Sequence, residues 1–353
     1  MKEGGKLLER KIKIGIVTII SKNYGNRLQN YALQHILEEL NLEVKTIPYK
    51  SGKKFLNIIR KIKKIITGRA YRWENFDGLI KYAFFSSKLL DISGYDYFVA
   101  GSDQIWNPNF AINSDREYLA FAKSAQKIAY AASIGVEVLS QKEKQNMREW
   151  LNDFSHISVR EKSSVEIIQS LLPGQQVELV LDPTLMVDKK VWENLAKNST
   201  KKCEQSYLVS YFLGDLDDKI KSFIRDYCDL HACEWQIISN TFDDDIGPWE
   251  FVDLIQNAEF VVTDSFHAVA FSIIFSKKFI VFDREAKAGF GYMSSRLKSL
   301  LDVFGLSERL VRSQDLNVET VRDVDYVPVQ KVLEIERGKS LDYLKKVFDI
   351  SVE

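Results

Sequence analysis

A cluster of polar residues interrupts the apolar segment VVTDSFHAVAFSIIF, which spans residues 261–275. These residues lie where a predicted buried strand passes into a predicted buried helix, and they are Thr263, Asp264, Ser265 and His267. Free backbone N–H groups and the helix dipole make such a position favourable for an anion, and a histidine there could exchange a proton near neutral pH. The alternative without a ligand is that Asp264 or Ser265 caps the helix and His267 is a hydrogen-bonded core residue.

Two further polar segments follow predicted strands and carry groups suited to a sugar. In GSDQIWNP, the side chains of Asp103, Gln104 and Asn107 offer hydrogen-bond donors and acceptors. In NYGNRLQN, Gly25 and Asn26 lie at a strand-to-helix turn where the backbone could approach a ligand closely. Neither segment has the GxGxxG or Walker spacing, so a dinucleotide or P-loop nucleotide site is not predicted. An Asx-type turn explains GSDQIWNP without a ligand.

Several cations also follow predicted strands. Arg160 ends the apolar segment HISVR, and the strand KFIVF is followed by Arg284, Lys287 and Arg296. A buried cation is costly unless it is paired or binds an anion, and arginine suits bidentate recognition of a carboxylate or phosphate. Convergence of these cations near one helix N-terminus favours an anion site. The alternatives are that Glu161 pairs with Arg160 and that the other cations are solvated surface charges.

The composition argues against several classes of protein. The chain has 353 residues, more than one hydrophobic core usually supports. Its 49 basic and 49 acidic residues give a net charge of zero, which argues against a general nucleic-acid binder. Its three cysteines have no CxxC spacing, which is typical of reduced thiols and predicts neither a zinc site nor disulfides. Since neither a membrane-spanning helix nor a secretory signal is predicted, we expect a cytoplasmic protein.

The apolar pattern alternates between strands and helices along the chain. It opens with a strand at 13–20, a polar turn SKNYGNRLQ and a helix at 30–40, and this βαβ start implies a parallel sheet. The alternation continues and predicts two doubly wound, Rossmann-like α/β domains, 1–187 and 188–353, which face a cleft and end in a helix at about 339–349. Ligands of such sheets bind beyond the carboxyl ends of the strands, where the polar clusters lie.

A basic stretch lies within the first predicted domain. Residues 49–73 contain nine Lys or Arg and no acidic residue, with isoleucines that supply an apolar face. Such a helix could lie on an anionic bilayer surface. It could equally be an ordinary amphipathic helix that packs on the first domain and exposes its basic face to water.

The motifs together resemble the polysaccharide pyruvyl transferases. The resemblance rests on NYGNRLQNYAL, GSDQIWNP, YAASIG, SVREKSS, LDPTLM, GPWEFVDLIQNAEFVVTDSFHAVAFSIIF and SSRLKSLL, which follow the family's order and cover most of the chain. It implies a fold similar to glycosyltransferase-B, with two Rossmann-like domains across a cleft. It also implies transfer of pyruvate from phosphoenolpyruvate to a sugar, formation of a ketal and release of phosphate, without a metal or nucleotide cofactor.

The resemblance also implies roles for particular residues. His267 matches the family's histidine and would be the catalytic acid/base, and Arg160 matches its arginine after the central strand. Lys287 fits a family lysine, with Arg284 as a close competitor. Ser265 and Arg296 complete the predicted phosphoenolpyruvate site. The predicted acceptor site belongs to the first domain and consists of Asn26, Asp103, Gln104 and Asn107. Ala268 departs from the pattern, because many members have glycine after the histidine.

The acceptor of such an enzyme is typically a lipid-linked saccharide intermediate of a capsule, exopolysaccharide or cell-wall polymer. That partner would place the protein at the inner membrane face, in agreement with the basic stretch. Two other functions stay open at this point: a nucleotide-sugar glycosyltransferase of the same architecture, and a non-catalytic saccharide-binding member of a polysaccharide assembly complex. The sequence identifies neither the acceptor sugar nor the oligomeric state.

Overall fold

The computed structural model describes residues 10–48, 71–83, 92–122, 126–241, 245–283, 295–318 and 321–350. Most of the basic stretch 49–73 lies outside the described residues, as do Arg284 and Lys287. Among the described residues, no helix combines the length and the apolar character that a membrane span requires.

The first part of the chain forms a parallel sheet of six strands. The strands are β1 (Lys13–Val17), β2 (Glu43–Thr46), β3 (Tyr97–Ala100), β4 (Gln126–Ala132), β5 (His156–Val159) and β6 (Val177–Leu179). Their order across the sheet is β2-β1-β3-β4-β5-β6. The connecting helices are α1 (Tyr24–Glu39), α2 (Tyr71–Asp77), α3 (Gln141–Leu151), α4 (Lys162–Leu171) and α5 (Pro183–Met186). Helices cover such sheets on both faces, which explains the nearly continuous apolar strands.

The second part forms a parallel sheet of five strands in the order β11-β10-β9-β7-β8. The strands are β7 (Tyr207–Tyr211), β8 (Glu234–Ile238), β9 (Phe260–Thr263), β10 (Lys278–Phe282) and β11 (Leu310–Val311). The helices are α6 (Lys189–Ala196), α7 (Asp218–His231), α8 (Pro248–Asn257), α9 (Phe266–Ile274), α10 (Ser295–Phe304) and α11 (Tyr326–Val347). The prediction of two doubly wound α/β sheets is confirmed.

The first helix begins earlier than the sequence pattern predicts. It starts at Tyr24, within the segment expected to be a polar turn, and the Asn23 side chain caps it by accepting the N–H of Asn26. The polar residues of its first turns are buried and hydrogen-bonded: Gln29 donates to Thr18 Oγ1 at 2.8 Å. A polar pattern normally indicates a solvated turn, and the prediction was wrong because tertiary packing buries these side chains and gives Gln29 a partner outside the helix.

An aromatic cluster fixes the start of α1 against the second sheet. The Tyr24 ring stacks on Trp73 and Phe251, with centroids 5.0 and 4.8 Å apart, and meets Tyr211 edge-on at 5.5 Å. The Tyr24 hydroxyl donates to the carbonyl of Ile246. Each such pair contributes about 0.5–1.5 kcal/mol beyond its buried area. The backbone that follows Tyr24 is therefore held next to the second sheet.

The last helix is longer than predicted and returns to the first sheet. It spans Tyr326–Val347, whereas the sequence pattern placed it at about 339–349. The Arg337 guanidinium donates to the carbonyls of Leu185 and Val187, at 2.6 and 2.9 Å. This helix therefore holds the connection between the two sheets. The domain limits 1–187 and 188–353 stay a prediction.

Candidate active site

A large cleft lies beyond the carboxyl ends of the strands of both sheets. Its volume is about 1490 Å³, and it is lined by residues that follow strands of both sheets. The side formed by the first part of the chain includes Ser21, Asn23, Asn26, Asp103, Gln104, Asn109 and Phe110. The side formed by the second part includes Leu213, Asp217, Asn240, Asp264, Ser265, His267, Arg296 and Arg312. Ligands of open α/β sheets bind at this edge.

Two residues of the polar cluster after β9, Asp264 and Ser265, make hydrogen bonds that stabilise the fold. Asp264 accepts the backbone N–H groups of Leu213 and Gly214, at 2.7 and 2.8 Å, and so fixes the loop after β7. Ser265 is the N-cap of α9, and its hydroxyl accepts the N–H of Ala268 at 3.5 Å. Capping therefore accounts for Ser265 and loop anchoring for Asp264. Neither interaction involves His267.

His267 lies between a carboxylate and a glycine. Its side chain is largely buried, and Nε2 lies 4.0 Å from Asp182 Oδ2 with no hydrogen-bond partner among the described residues. A Cβ atom placed on Gly25 would lie 2.1 Å from Nδ1, closer than real contacts allow. The alternative of a hydrogen-bonded core histidine is not observed, and the ring is part of the cleft wall.

The surroundings of His267 favour its neutral form. Burial lowers the pKa of the imidazole, because the charged ring is less well solvated inside the protein. The carboxylates of Asp182 and Asp103 act in the opposite direction, and Arg160 and Arg296 add to the lowering of this pKa. The ring thus faces two carboxylates and two guanidinium groups at once.

Arg160 lies at the base of the site and holds both carboxylates. Its guanidinium donates to Asp182 Oδ2 at 2.6 Å and to Asp103 Oδ1 at 3.0 Å, and it packs over the Phe266 ring at 4.4 Å. Pairing with Glu161 is weaker, with Nε and Oε2 at 4.0 Å. Burial favours the neutral acid, but the charge of Arg160, the nearby His267 and the hydrogen bonds from Thr184 and Ser102 together outweigh it and lower the pKa of Asp182 to about 2. Arg160 is not among the residues that line the cleft.

Asp103 connects the predicted acceptor residues to this network. Its backbone has a φ of 72°, a conformation that aspartate tolerates better than most residues. Its carboxylate accepts the N–H of Gln104 at 2.8 Å and the side-chain amide of Asn26. Burial opposes ionisation, yet Arg160 and the nearby cationic groups lower the pKa of Asp103. Asn26 and Asp103 therefore face the cleft from a rigid, hydrogen-bonded position.

Arg296 and Gln104 approach each other across the cleft. Arg296 lies in the first turn of α10 and is 4% exposed. When its amide oxygen is turned toward Arg296, Gln104 accepts hydrogen bonds from both terminal nitrogens of the guanidinium, at 3.3 and 3.2 Å. Asn107 contacts the Gln104 amide at 2.6 Å and is itself buried beneath the cleft wall. Arg296, predicted to bind phosphoenolpyruvate, and Gln104, predicted to bind the sugar acceptor, are thus neighbours.

Two residues make contacts with His267 that the sequence did not predict. Asp182 precedes a proline, a pattern that indicates a helix cap, and it does cap α5. Gly25 precedes the predicted Asn26, and nothing in the local sequence pairs it with His267. The structure also buries Trp106 completely, stacked on Tyr118, so that Phe110 is the aromatic residue of this loop that lines the cleft.

Metal ions in proteins are held by groups of side chains such as His, Cys, Asp and Glu. Within the part of the chain that the structure describes, no group of three or more His, Cys, Asp or Glu side chains could hold a metal ion. The absence of a cofactor stays a prediction. The chemistry available in the cleft is that of the His267 imidazole, the Asp103 carboxylate and the Arg296 guanidinium, with Asp182 and Arg160 buried behind them.

The family follows from comparison of the sequence with known families. The family model described as polysaccharide pyruvyl transferase matches residues 23–285, well over half of the chain. The chain belongs to this family. The matched residues include the cleft-lining segments after β1, β3 and β9, but not Arg296. No curated protein matches the chain.

Solved structures share the fold of this family member at low sequence identity. UDP-GlcNAc 2-epimerase from Neisseria meningitidis, bound to UDP-GlcNAc, is 10% identical with a TM-score of 0.52, covering 97% of this chain and 100% of that chain. The Methanocaldococcus jannaschii UDP-GlcNAc 2-epimerase is 14% identical with a TM-score of 0.51 and the same coverage. UGT89C1 from Arabidopsis thaliana is 11% identical with a TM-score of 0.51, covering 95% and 98%. The predicted arrangement of two Rossmann-like domains, similar to glycosyltransferase-B, is confirmed.

Proposed function

We propose that this protein transfers pyruvate from phosphoenolpyruvate to a sugar of a surface-polysaccharide precursor, forming a ketal and releasing phosphate. The observation that carries the proposal is a buried histidine at a helix N-terminus, in a cleft that also contains an arginine. Membership of the pyruvyl transferase family supports it. In the reaction, the donor's methylene carbon gains a proton, two sugar oxygens bond to its central carbon, and the bond to the phosphate oxygen breaks.

The donor is proposed to bind with its negative charge at the start of α9 and α10. Ser265 and Arg296 line the cleft there, and a helix N-terminus presents free N–H groups to an anion. Arg160 is buried against Asp103 and Asp182, so its direct contact with the donor stays a prediction. Arg284 and Lys287 lie outside the described residues, and their part in donor binding also stays a prediction.

His267 is proposed to supply the proton. Because burial lowers the pKa of the imidazole, protonation is proposed to accompany the binding of an anion beside it. A bound carboxylate and phosphate would stabilise the imidazolium and raise its pKa. The protonated ring could then act as a general acid toward the methylene carbon, a role that typically contributes about 10²–10⁴ in rate.

The acceptor is proposed to occupy the rest of the cleft. Its volume of about 1490 Å³ is much larger than a donor of this size needs. Asn26, Asp103 and Gln104 offer hydrogen-bonding groups on the side of the first sheet, and Phe110 offers an aromatic surface. Asn107 would act through Gln104. A lipid-linked saccharide is the proposed acceptor, with a cytoplasmic location at the inner membrane face.

Donor binding can be tested by thermal unfolding with and without phosphoenolpyruvate. Donor at a hundred times its dissociation constant should stabilise the wild type by about 2.7 kcal/mol. Arg296→Ala should lose most of this stabilisation. Lys298→Ala is the matched control, since Lys298 is on the same helix but faces solvent. Stabilisation by a nucleotide sugar, and none by phosphoenolpyruvate, would instead favour a glycosyltransferase.

Catalysis can be tested by phosphate release in the presence of saccharide acceptors. His267→Gln should keep the part of the donor-induced stabilisation that does not depend on the imidazolium. It should lose turnover by at least about a hundredfold, because glutamine cannot deliver the proton. Turnover at the wild-type rate would exclude His267 as the acid. A protein that binds saccharide and never releases phosphate would be a non-catalytic member of an assembly complex.

A further inference from the structure

The carboxylate of Asp182 faces His267 and is held in one orientation. Its Oδ2 accepts hydrogen bonds from Ser102 Oγ at 2.7 Å and from Arg160 at 2.6 Å. Its Oδ1 accepts two from Thr184, at 2.9 Å from the backbone N–H and at 2.6 Å from the hydroxyl. Asp182 cannot turn away from the histidine without losing several of these bonds. It is therefore a fixed negative charge beside the ring.

The two ring nitrogens of His267 have different surroundings. Nε2 is buried and faces Asp182 Oδ2 at 4.0 Å, with no hydrogen-bond partner among the described residues. Nδ1 lies on the other side, next to Gly25, where the absence of a side chain leaves room for the ring. An ionised carboxylate only accepts hydrogen bonds, so it favours the tautomer that carries hydrogen on the nitrogen facing it. That tautomer has hydrogen on Nε2 and a free lone pair on Nδ1.

We propose that Asp182 is the positioning residue for His267, selecting the Nε2–H tautomer so that Nδ1 takes up and delivers the proton of the reaction. Protonation at Nδ1 gives an imidazolium whose Nε2–H still faces the carboxylate. The proton then passes from Nδ1 to the methylene carbon of the donor, where the electron pair of the carbon–carbon double bond forms the new C–H bond. The ring returns to its neutral tautomer. Proton delivery rests on the proposed function, whereas the tautomer does not.

The charges around the ring make Asp182 more than a hydrogen-bond acceptor. The imidazolium is favoured by Asp182 and Asp103 and opposed by Arg160 and Arg296. Removal of one carboxylate would leave two cations facing one anion. Asp182→Asn should therefore shift the titration midpoint of His267 to lower pH and remove the preference for hydrogen on Nε2.

Nitrogen NMR of protein labelled with ¹⁵N-histidine tests this directly. The chain has four histidines, and His267→Gln would identify the signals of His267 by their loss. Long-range ¹H–¹⁵N spectra above the titration midpoint report which nitrogen carries hydrogen. The expected result is the Nε2–H form in the wild type and a mixture of tautomers in Asp182→Asn, with a lower midpoint. In turnover, Asp182→Asn should lower kcat about tenfold or more.

Ser102→Ala is the matched control, because it removes a hydrogen bond to Oδ2 and keeps the charge. It should destabilise the fold without changing the tautomer. The Nδ1–H form in the wild type would overturn the proposal, and that spectrum needs no variant, so it decides even if Asp182→Asn does not fold. An unchanged tautomer and midpoint in a folded Asp182→Asn would also overturn it. If the tautomer is as expected but phosphoenolpyruvate neither binds nor reacts, the proposed function fails and the positioning role stands.

Discussion

Substitution of Gly25 by alanine is a sharp test of the packing around His267. Gly25 lies in the first turn of α1, and its φ is not positive, so its backbone does not require glycine. A Cβ there would lie 2.1, 2.5 and 2.7 Å from the imidazole atoms Nδ1, Cε1 and Cγ. The ring would have to move by about 1 Å to restore ordinary contact distances. We infer that Gly25 is required by the histidine and not by the helix.

The magnitude follows from two opposing effects. Alanine is more favourable than glycine in a helix interior by about 0.8–1.0 kcal/mol. Overpacking of a buried site costs about 1–3 kcal/mol. Gly25→Ala should therefore destabilise the wild type by up to about 2 kcal/mol, and turnover should fall by about 10², since a 1 Å misplacement of a catalytic group has an effect of this size. In a His267→Ala background, the same change should stabilise the protein.

Urea unfolding of the wild type, both single variants and the double variant would give the coupling free energy between the two positions. We expect a coupling free energy of about 1–3 kcal/mol, with the double variant more stable than the sum of the two single effects predicts. Gly338→Ala is the control, because Gly338 lies in helix α11 and a Cβ there would contact nothing within 4 Å. That variant should be stabilised in either background. Equal effects of Gly25→Ala with and without the imidazole would refute the reasoning.

Two further predictions concern protonation and stability. Burial lowers the pKa of His267, and an anion bound beside the ring should raise it. Phosphoenolpyruvate binding should therefore take up a proton between the two pKa values and weaken as pH rises. Calorimetry in buffers of different ionisation enthalpy measures this uptake, and buffer-independent heats would contradict it. Glu161 is fully buried and accepts Ser133 Oγ and the N–H groups of Ile134 and Gly135. Glu161→Gln should reduce the free energy of unfolding by about 1–3 kcal/mol and leave the affinity for phosphoenolpyruvate unchanged. Urea unfolding measures the first quantity and titration with phosphoenolpyruvate the second. An unaltered free energy of unfolding would show that these hydrogen bonds contribute little.

Local patterns in the sequence determined the architecture and the place of the site. Strands buried on both faces have continuous apolar sequences, so the alternation of strands and helices and the parallel sheets could be read directly. Because ligands of such sheets bind beyond the carboxyl ends of the strands, the polar segments around Asp103 and His267 were expected to lie at the cleft that the two predicted domains face. The start of α1 was missed because residues 21–29 are mostly polar, and the buried partner of Gln29, Thr18, follows strand β1.

Tertiary structure alone decided how the site residues are paired. Arg160 was expected to meet an anionic ligand or Glu161, but its closest partners are Asp103 and Asp182, which are distant in sequence. Gly25 contacts His267 only because aromatic packing holds α1 against the second sheet. A residue's type shows which interactions it can make, whereas long-range packing determines which partners are within reach. For this reason the sequence identified the histidine, and the fold supplied the carboxylate and the glycine that orient it.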